Sequence, residues 1–375
     1  MNSDEKTQKR KKRIRIALIV VLAILVIFAG LACYASYVYR TMVVKPDAPK
    51  PPEVVVTPPP VAVVDPDTGE EVIPDPIIVE KVNGDRKSED FYTILVVGID
   101  VVSNRTDTIL LVSYDVTNQK ATVMSIPRDT LVNAFGTTKY TRINKVYTAF
   151  GRGDEGKNAL TREVAELVGF VPDYRVFIDW ELVGQMVDAI GGVEYDVPFH
   201  MEYDDPTQDL HIYVEKGLQV LDGEKAMQLV RWRKNNKGVS GGGDGSDLNR
   251  LKVQQGFLKA VLKQTLQIKN LTKISDLVTL FAANMEGDLT VENLLWFAKE
   301  AVFGGLAVES VEFVTMPWKA ANPYVYPDQE KLLALINSKL NPFNTEVTID
   351  KLDLIYFDED GNLCATGELN QEKGE

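Results

Sequence analysis

The chain of 375 residues carries a formal net charge of −13 and contains two cysteines and two histidines. Nucleic-acid binders present basic surfaces to a phosphate backbone, so a body this acidic argues against general nucleic-acid binding. An anionic ligand would need a local basic cluster. Cys33 lies in an apolar N-terminal segment and Cys364 near the C-terminus, so no disulfide framework is expected. Two histidines are too few for a zinc site.

The N-terminal segment predicts a membrane anchor. Residues 16–39 contain no charged side chain, and a helix of that length spans roughly 36 Å, enough for a hydrocarbon core of about 30 Å. Seven basic residues lie within residues 1–15, which the positive-inside rule places in the cytoplasm. We therefore expect a cytoplasmic basic tail over 1–15 and an uncleaved single-pass transmembrane helix over 16–39, with the rest extracellular.

Two other interpretations of this segment are weaker. A cleaved signal peptide has a shorter apolar core, and no A-x-A cleavage site follows residue 39. A lipoprotein signal would use Cys33, but Gly30 stands where an aliphatic residue is expected.

Proline composition marks the next boundary. Ten of the 18 prolines lie between Pro46 and Pro76, which is typical of a semi-rigid extended segment. We expect a Pro-rich extracellular stalk over 40–90, a globular domain over 91–342 and a weakly structured C-terminal tail over 343–375.

The central region alternates between strand and helix patterns. Short apolar runs predict strands at 93–100, 108–115, 120–127, 174–179, 193–198 and 308–317. Helical patterns occur at 161–170, 180–190, 223–231, 247–266, 274–284, 291–303 and 327–338. Thr161, Asp222 and either Ser246 or Asp247 are candidate N-caps. This alternation predicts an α/β domain with a sheet between helical layers.

Charged residues follow two of the predicted strands. Asp100 ends a strand, and Arg105 and Asp107 follow it within seven residues. Strand ends of α/β sheets face the usual ligand crevice, and two carboxylates there could hold Mg²⁺ through oxygen ligands. Arg128 and Asp129 follow Pro127, which ends the third strand, and Arg128 could point into the same crevice. Ordinary loop residues and a surface salt bridge are the alternatives for these two groups.

A second set of basic residues lies on two consecutive predicted helices. Arg231 and Arg233 flank Trp232, and Arg250 and Gln254 are spaced i, i+4 on one helix face. Arginine forks suit phosphate, and several together can bind a pyrophosphate. The alternative is a solvated helix face. The intervening loop, KGVSGGGDGSD, does not match a Walker A pattern, and no G-x-S-x-G elbow occurs, which argues against a P-loop ATPase and a Ser-His-Asp hydrolase.

The motifs together resemble one family. They are GID at 98–100, RTDT at 105–108, SIPRD at 125–129, RINKVYTAFG at 142–151, KGLQVLDGEKAMQLVRWR at 216–233 and DLNRLKVQQGFL at 247–258. Their order and spacing closely resemble the LytR-CpsA-Psr family of cell-wall enzymes, from about Phe91 to Pro342. The predicted anchor and stalk fit the usual layout of that family.

The resemblance implies an α/β/α fold with a mixed sheet and a phosphotransferase activity. Family members transfer a glycopolymer such as teichoic acid or capsule from an undecaprenyl-pyrophosphate carrier to peptidoglycan, with Mg²⁺ assistance. By position, Asp100 and Asp107 match the metal-linked aspartates. The positions that match the pyrophosphate-binding set are Arg105, Arg128, Arg231, Arg233, Arg250 and Gln254. The residues expected to act in catalysis are Asp107, Arg128, Asp129, Arg231 and Arg233.

Several points stay open in the sequence. Asp107 or Asp129 could deprotonate the acceptor hydroxyl, and Asp107 could instead serve as a metal ligand. Arg142 stands where the family often has lysine, Val253 stands where a second arginine is common, and residues 238–246 form a glycine-rich insertion. A pyrophosphatase that cleaves the carrier lipid, and a non-catalytic envelope regulator that binds lipid-linked precursors, are the alternative functions. The expected partners are the lipid-linked glycopolymer, peptidoglycan and the membrane.

Overall fold

The computed structural model describes residues 45–46, 63–64, 71–72, 82–100, 105–134, 140–206, 210–240, 247–267 and 273–367. The chain divides into two compact units, residues 1–46 and 47–375, and the elements below belong to the second. The predicted anchor at 16–39 lies outside the described residues. None of the helices within the described ranges is long and apolar enough to cross a bilayer.

The described strands are β1 (Val63–Val64), β2 (Glu71–Val72), β3 (Phe91–Asp100), β4 (Arg105–Asp115), β5 (Lys120–Ile126), β6 (Leu131–Val132), β7 (Thr141–Arg142), β8 (Tyr174–Asp179), β9 (Val193–Val197), β10 (Met201–Asp205), β11 (Leu210–Val214), β12 (Gly217–Leu221), β13 (Met285–Gly287), β14 (Val311–Thr315), β15 (Trp318–Ala321), β16 (Tyr324–Pro327), β17 (Ile355–Phe357) and β18 (Leu363–Ala365). The described α-helices are α1 (Ile143–Ala149), α2 (Gly153–Val168), α3 (Trp180–Ala189), α4 (Gly223–Arg231), α5 (Asp247–Thr265), α6 (Ile274–Ala283), α7 (Val291–Phe303) and α8 (Gln329–Leu335).

A six-stranded mixed sheet forms the centre of the second unit, in the order β13–β8–β3–β4–β5–β14. The pairs β3–β8 and β5–β14 are parallel, whereas β3–β4, β4–β5 and β8–β13 are antiparallel. The C-terminal ends of β3, β5, β8 and β14 therefore meet the N-terminal end of β4 at one edge, which we call the upper end. The prediction of a mixed sheet between helical layers is confirmed.

One face of this sheet, here the packed face, is completely buried. Leu95, Val97, Ile109 and Leu111 point to it and are at most 1% exposed. Apolar residues of α1, α2 and α8 cover this face and complete the main core. Successive strand residues alternate between faces, so the neighbouring residues point the other way.

The opposite face, here the open face, is only partly covered. Ile94, Val96, Leu110 and Val112 point to it and are half-buried. Helix α5 is fixed over its β5–β14 side, because the Gln255 side-chain amide donates to Ser125 Oγ and Thr315 Oγ1, at 3.0 and 3.1 Å.

Helix α7 closes the end of the open face that lies opposite the upper end. Tyr92 packs edge-to-face on Trp296 and Phe297, with ring centroids 5.7 and 5.1 Å apart. The apolar side chains of the open face that lie between the α5 contact and the α7 contact keep part of their surface exposed.

A second core lies beside the sheet, where α3, α4 and α5 pack on the antiparallel strand pairs β9–β12 and β10–β11. Gly223 lets α4 approach α3 closely, since a Cβ there would lie 2.4 Å from the Gly184 carbonyl oxygen. Asp222 accepts a hydrogen bond from the Lys225 backbone N–H at 2.8 Å. The predicted N-cap at Asp222 is therefore confirmed.

Two sequence expectations about the packed side are wrong. Thr161 is not an N-cap, because α2 already begins at Gly153 and the Thr161 hydroxyl donates to the Lys157 carbonyl within the helix, at 2.8 Å. The segment after Pro342 is not weakly structured up to residue 367, because Val347 and Leu352 are buried in the main core at 1% and 0% exposure. These side chains pack over Gly169, the left-handed C-cap residue of α2. No sequence pattern around Val347 or Leu352 indicates this contact.

Candidate active site

A β-bulge positions Asp107 at the upper end of the sheet. Gly98 pairs with Thr108 and Ile99 with Thr106, so Asp107 is the extra residue of β4 between them. A bulge bends the strand and redirects the extra side chain. Asp107 is 9% exposed.

Asp100 and Arg105 lie next to this bulge. Their backbones are register partners at the tips of β3 and β4, which brings both predicted residues to the end of the sheet that carries Asp107. Their side chains lie outside what the structure describes, so their predicted roles stay predictions.

Asp107 is the anionic centre of an arginine cluster. Arg128 Nη1 donates to its Oδ1 at 3.1 Å, and Arg233 Nη2 donates to its Oδ2. Burial alone would raise the pKa of Asp107, but the charges of Arg233, Arg128 and Arg250 outweigh burial and hold this pKa below its ordinary value. Asp107 is therefore ionised at neutral pH. Three guanidiniums around one carboxylate leave a surplus of positive charge that attracts anions.

Asp129 links Arg128 to Arg142. Its Oδ1 accepts from Arg142 Nη1 at 2.8 Å, and its Oδ2 lies 3.5 Å from Arg128 Nε. Pro127 ends the strand, and the Thr130 backbone N–H closes a turn on the Pro127 carbonyl at 3.1 Å. The salt bridge considered as an alternative exists, but it belongs to a network that reaches Asp107.

The backbone conformation of Trp232 directs the side chains of Arg231 and Arg233 to the same side. Trp232, directly after α4, has extended φ and ψ of −60° and 138° and is fully buried. Because side chains alternate along extended chain, its two neighbours share the side away from the core. The predicted pairing of these arginines around Trp232 therefore follows from the burial of the indole.

Asn235 fixes this arginine segment to the hairpin β10–β11. Its Oδ1 accepts from the Trp232 indole N–H and from the Glu202 backbone N–H, both at 2.9 Å. Its amide nitrogen donates to the His200 carbonyl at 3.0 Å. Sequence reasoning missed Asn235, since nothing within the segment RWRKNN distinguishes this asparagine from a loop residue.

Helix α5 supplies Arg250 and Gln254, which are 3% and 8% exposed. Both are buried, so the alternative of a solvated helix face is wrong for this pair. The Gln254 side-chain amide donates to the Val230 carbonyl at 2.9 Å, one residue before Arg231. In this structure Gln254 thus holds the end of α4.

The arginines fall into two groups according to the elements that carry them. The open-face group comprises Arg231 at the end of α4, Arg233 two residues beyond it, and Arg250 on α5, the helix that lies over the open face. The packed-face group, Arg128 and Arg142, comes from the loop after β5 and from the strand before α1. Asp107 pairs with one member of each group and so connects them.

Among the described residues, no three histidine, cysteine or acidic side chains form a cluster suited to a metal ion. Asp107 has the chemistry of a Mg²⁺ ligand, since it is ionised and its two oxygens offer more lone pairs than two arginine hydrogen bonds use. The predicted role of Asp100 as its partner stays a prediction.

This fold and cluster define an α/β protein with an arginine cluster around one ionised aspartate at a sheet end. The family model of the LytR_cpsA_psr family matches residues 68–341, so the chain belongs to this family. The resemblance seen in the sequence motifs is thereby confirmed.

Three comparisons describe the similarity. TagV of Bacillus subtilis, named a polyisoprenyl-teichoic acid–peptidoglycan teichoic acid transferase, is 26% identical over 238 residues, which are 62% of this chain and 58% of TagV. The regulatory protein MsrR of Staphylococcus aureus is 24% identical over 266 residues, 70% of this chain and 76% of MsrR. The crystal structure of Bacillus subtilis TagV has a TM-score of 0.54 at 24% identity, covering 68% of this chain and 98% of that one, and supports the fold.

Proposed function

We propose that the protein is an enzyme, a phosphotransferase that moves a glycopolymer phosphate from an undecaprenyl-pyrophosphate-linked donor to peptidoglycan. The observation that carries the proposal is the ionised Asp107 held by Arg128 and Arg233 at the upper end of the sheet. Family membership and the transferase name of TagV support the same chemistry.

The open face supports a lipid-linked donor. Ile94, Val96, Leu110 and Val112 are apolar, stand on central strands and keep part of their surface exposed. A polyprenyl chain laid over them would bury that surface, at about 25 cal/mol per Å² of apolar area. The open-face arginines stand at the upper end of this surface, where the pyrophosphate of such a lipid would lie.

The reaction needs positioning and charge stabilisation more than a protein nucleophile. The acceptor hydroxyl oxygen forms a bond to the phosphorus that carries the glycopolymer. The bond from that phosphorus to the lipid phosphate breaks, and undecaprenyl phosphate leaves with the electron pair. Guanidiniums aimed at the phosphate oxygens stabilise the charge that develops there.

The proton of the acceptor hydroxyl goes to a carboxylate. The lowered pKa of Asp107 makes it a poor proton acceptor, so we assign the proton to Asp129 and the holding of the arginines to Asp107. Mg²⁺, when bound by Asp100 and Asp107, would neutralise further charge on the phosphate oxygens.

A membrane-bound donor also accounts for the N-terminal pattern. We place residues 16–39 across the cell membrane, with residues 1–15 in the cytoplasm and the catalytic domain extracellular. The apolar run and the preceding basic residues support this topology.

The test is transfer from a lipid-pyrophosphate donor to purified peptidoglycan in the presence of Mg²⁺. Arg128→Ala and Arg231→Ala should each lower the rate by about 100-fold or more, because each removes a donor to developing charge. Arg175→Ala is the matched control, since Arg175 pairs with Asp288 at the opposite end of β8 and should keep its rate. Full activity in both cluster variants would overturn the site.

The same assay separates the alternative functions. Release of only free phosphorylated polymer, even with peptidoglycan present, would make the protein a pyrophosphatase. The name of MsrR, a regulatory protein, motivates the non-catalytic alternative. Donor binding without turnover in the presence of Mg²⁺ would favour that regulator.

A further inference from the structure

We propose that Tyr140, Tyr324 and Arg142 form the subsite that receives a sugar ring of the acceptor glycan. The inference rests on the proposed transfer reaction and names the side from which the acceptor enters. The observation behind it is an aromatic pair, Tyr140 and Tyr324, that is connected to the loop carrying Arg128 and Asp129.

The aromatic pair is partly exposed. Tyr140 is 40% exposed, and its ring meets the Tyr324 ring edge-to-face, with centroids 6.3 Å apart and an interplanar angle of 80°. The Arg142 guanidinium carbon lies 5.9 Å from the Tyr324 ring centroid. Apolar ring surface and cationic donors therefore stand side by side.

The pair is tied to the catalytic loop through both backbone and side chains. The Val325 backbone N–H, next to Tyr324, donates to the Asp129 carbonyl at 3.2 Å. The Arg142 side chain donates to the Asp129 carboxylate at 2.8 Å. The rings are thus held in fixed relation to Arg128 and Asp129.

The course of the reaction selects this side for the acceptor. In phosphoryl transfer, the attacking and leaving oxygens lie roughly in line across the phosphorus. A lipid on the open face puts the leaving phosphate beside Arg231 and Arg250. The attacking hydroxyl must then arrive from the other side of the phosphorus. We assign this side to the packed-face group, where Arg142 lies directly before α1 and its side chain is 28% exposed.

The chemistry of the pair fits a sugar. A pyranose ring has an apolar C–H face, which packs on an aromatic ring, and peripheral hydroxyls, which accept hydrogen bonds from a guanidinium. A phosphate-rich chain would gain little from the Tyr140 ring, and a polyprenyl chain is better accommodated by the open face. The sugar backbone of peptidoglycan is therefore the occupant.

Support for Tyr324 comes from the C-terminal hairpin. Tyr324 packs against a small core formed by Leu131, Ile355 and Ala365. Ile355 and Ala365 lie beyond residue 341, where the family match ends. Tyr324 is thus supported in part by residues outside the matched region.

The test uses the full chain with a lipid-pyrophosphate donor and soluble glycan strands freed of stem peptides. Tyr140→Ala should raise the acceptor KM by about tenfold, the loss expected for one aromatic contact, with kcat at saturating acceptor and donor binding unchanged. Tyr140→Phe keeps the ring and should behave as the unmodified chain. Tyr213→Ala is the matched control, since Tyr213 is 51% exposed on β11.

Glycan binding without donor, measured by calorimetry, keeps this inference separate from the transfer reaction. If the unmodified chain transfers nothing but Tyr140→Ala still weakens glycan binding, the subsite stands and the transfer proposal falls. An acceptor KM for Tyr140→Ala equal to that of Tyr213→Ala would overturn the subsite. An increase in acceptor KM in Tyr140→Phe as large as that in Tyr140→Ala would show that ring packing is not the basis of acceptor binding at this subsite.

Discussion

The two faces of the central sheet have similar apolar residues and different degrees of burial. Leu111, on the packed face, is fully buried, whereas its neighbour Leu110, on the open face, is half-buried. Helices and the C-terminal segment cover the first face, and α5 and α7 cover only part of the second. Apolar residues on a central strand therefore do not by themselves indicate a protein core. On the open face we expect their partner to be a lipid.

The largest expected effect is a difference in unfolding free energy between matched substitutions on the two faces. Leu111→Ala should lower the free energy of unfolding by about 3 kcal/mol, because it leaves a cavity in a closed core. Leu110→Ala should cost less than about 1 kcal/mol, because its side chain is only partly buried. Urea unfolding of both variants measures the difference, and equal losses would remove the distinction between the faces.

A buried carboxyl on the packed side adds a pH dependence. Burial of Glu163 in α2, only partly offset by Arg162, raises its pKa to about 7. The folded chain then holds this proton more tightly than the unfolded chain does, so the contribution of Glu163 to stability should be most favourable below about pH 4.5 and should decrease as the pH rises towards 7. Beyond pH 7 this contribution should level off.

Glu163→Gln should remove that dependence. The variant should gain on the order of 2 kcal/mol relative to the unmodified chain at pH 8, and much less at pH 5. Unfolding free energies at the two pH values provide the measurement. A difference between the two chains that does not change with pH would show that Glu163 is not held neutral by its surroundings.

The smallest expected effect concerns the open face alone. Leu110→Trp should fill space meant for the lipid and weaken binding of undecaprenyl pyrophosphate by about tenfold, with unfolding changed by less than about 1 kcal/mol. Leu218→Trp is the matched control, since Leu218 is 70% exposed on β12. Unchanged lipid affinity in Leu110→Trp would place the lipid elsewhere.

The sequence predicted the members of the site better than their supports. The motif order pointed to Asp107, Arg128 and Arg233, and the structure brings these three side chains into contact. The bulge at Asp107 did not show in the strand pattern, because it depends on the register with β3. Asn235 was missed because two of its three partners, His200 and Glu202, lie more than thirty residues away.

The same limit explains the errors in the fold. The C-terminal segment differs from its prediction because Val347 and Leu352 belong to no regular element and are placed by packing within the main core. The helical pattern predicts a helix that begins at Thr161, whereas α2 begins at Gly153 and includes Gly156, where the helix passes Tyr147 closely. Local sequence patterns do not predict such contacts, because the residues that make them are far apart in the chain.

The most direct measurement is a structure of the full chain with undecaprenyl pyrophosphate bound. We expect the pyrophosphate oxygens within hydrogen-bond distance of Arg231 and Arg250, and the polyprenyl chain over Val96 and Leu110. A pyrophosphate away from these arginines, or a lipid chain on any surface other than the open face, would contradict the proposed donor site.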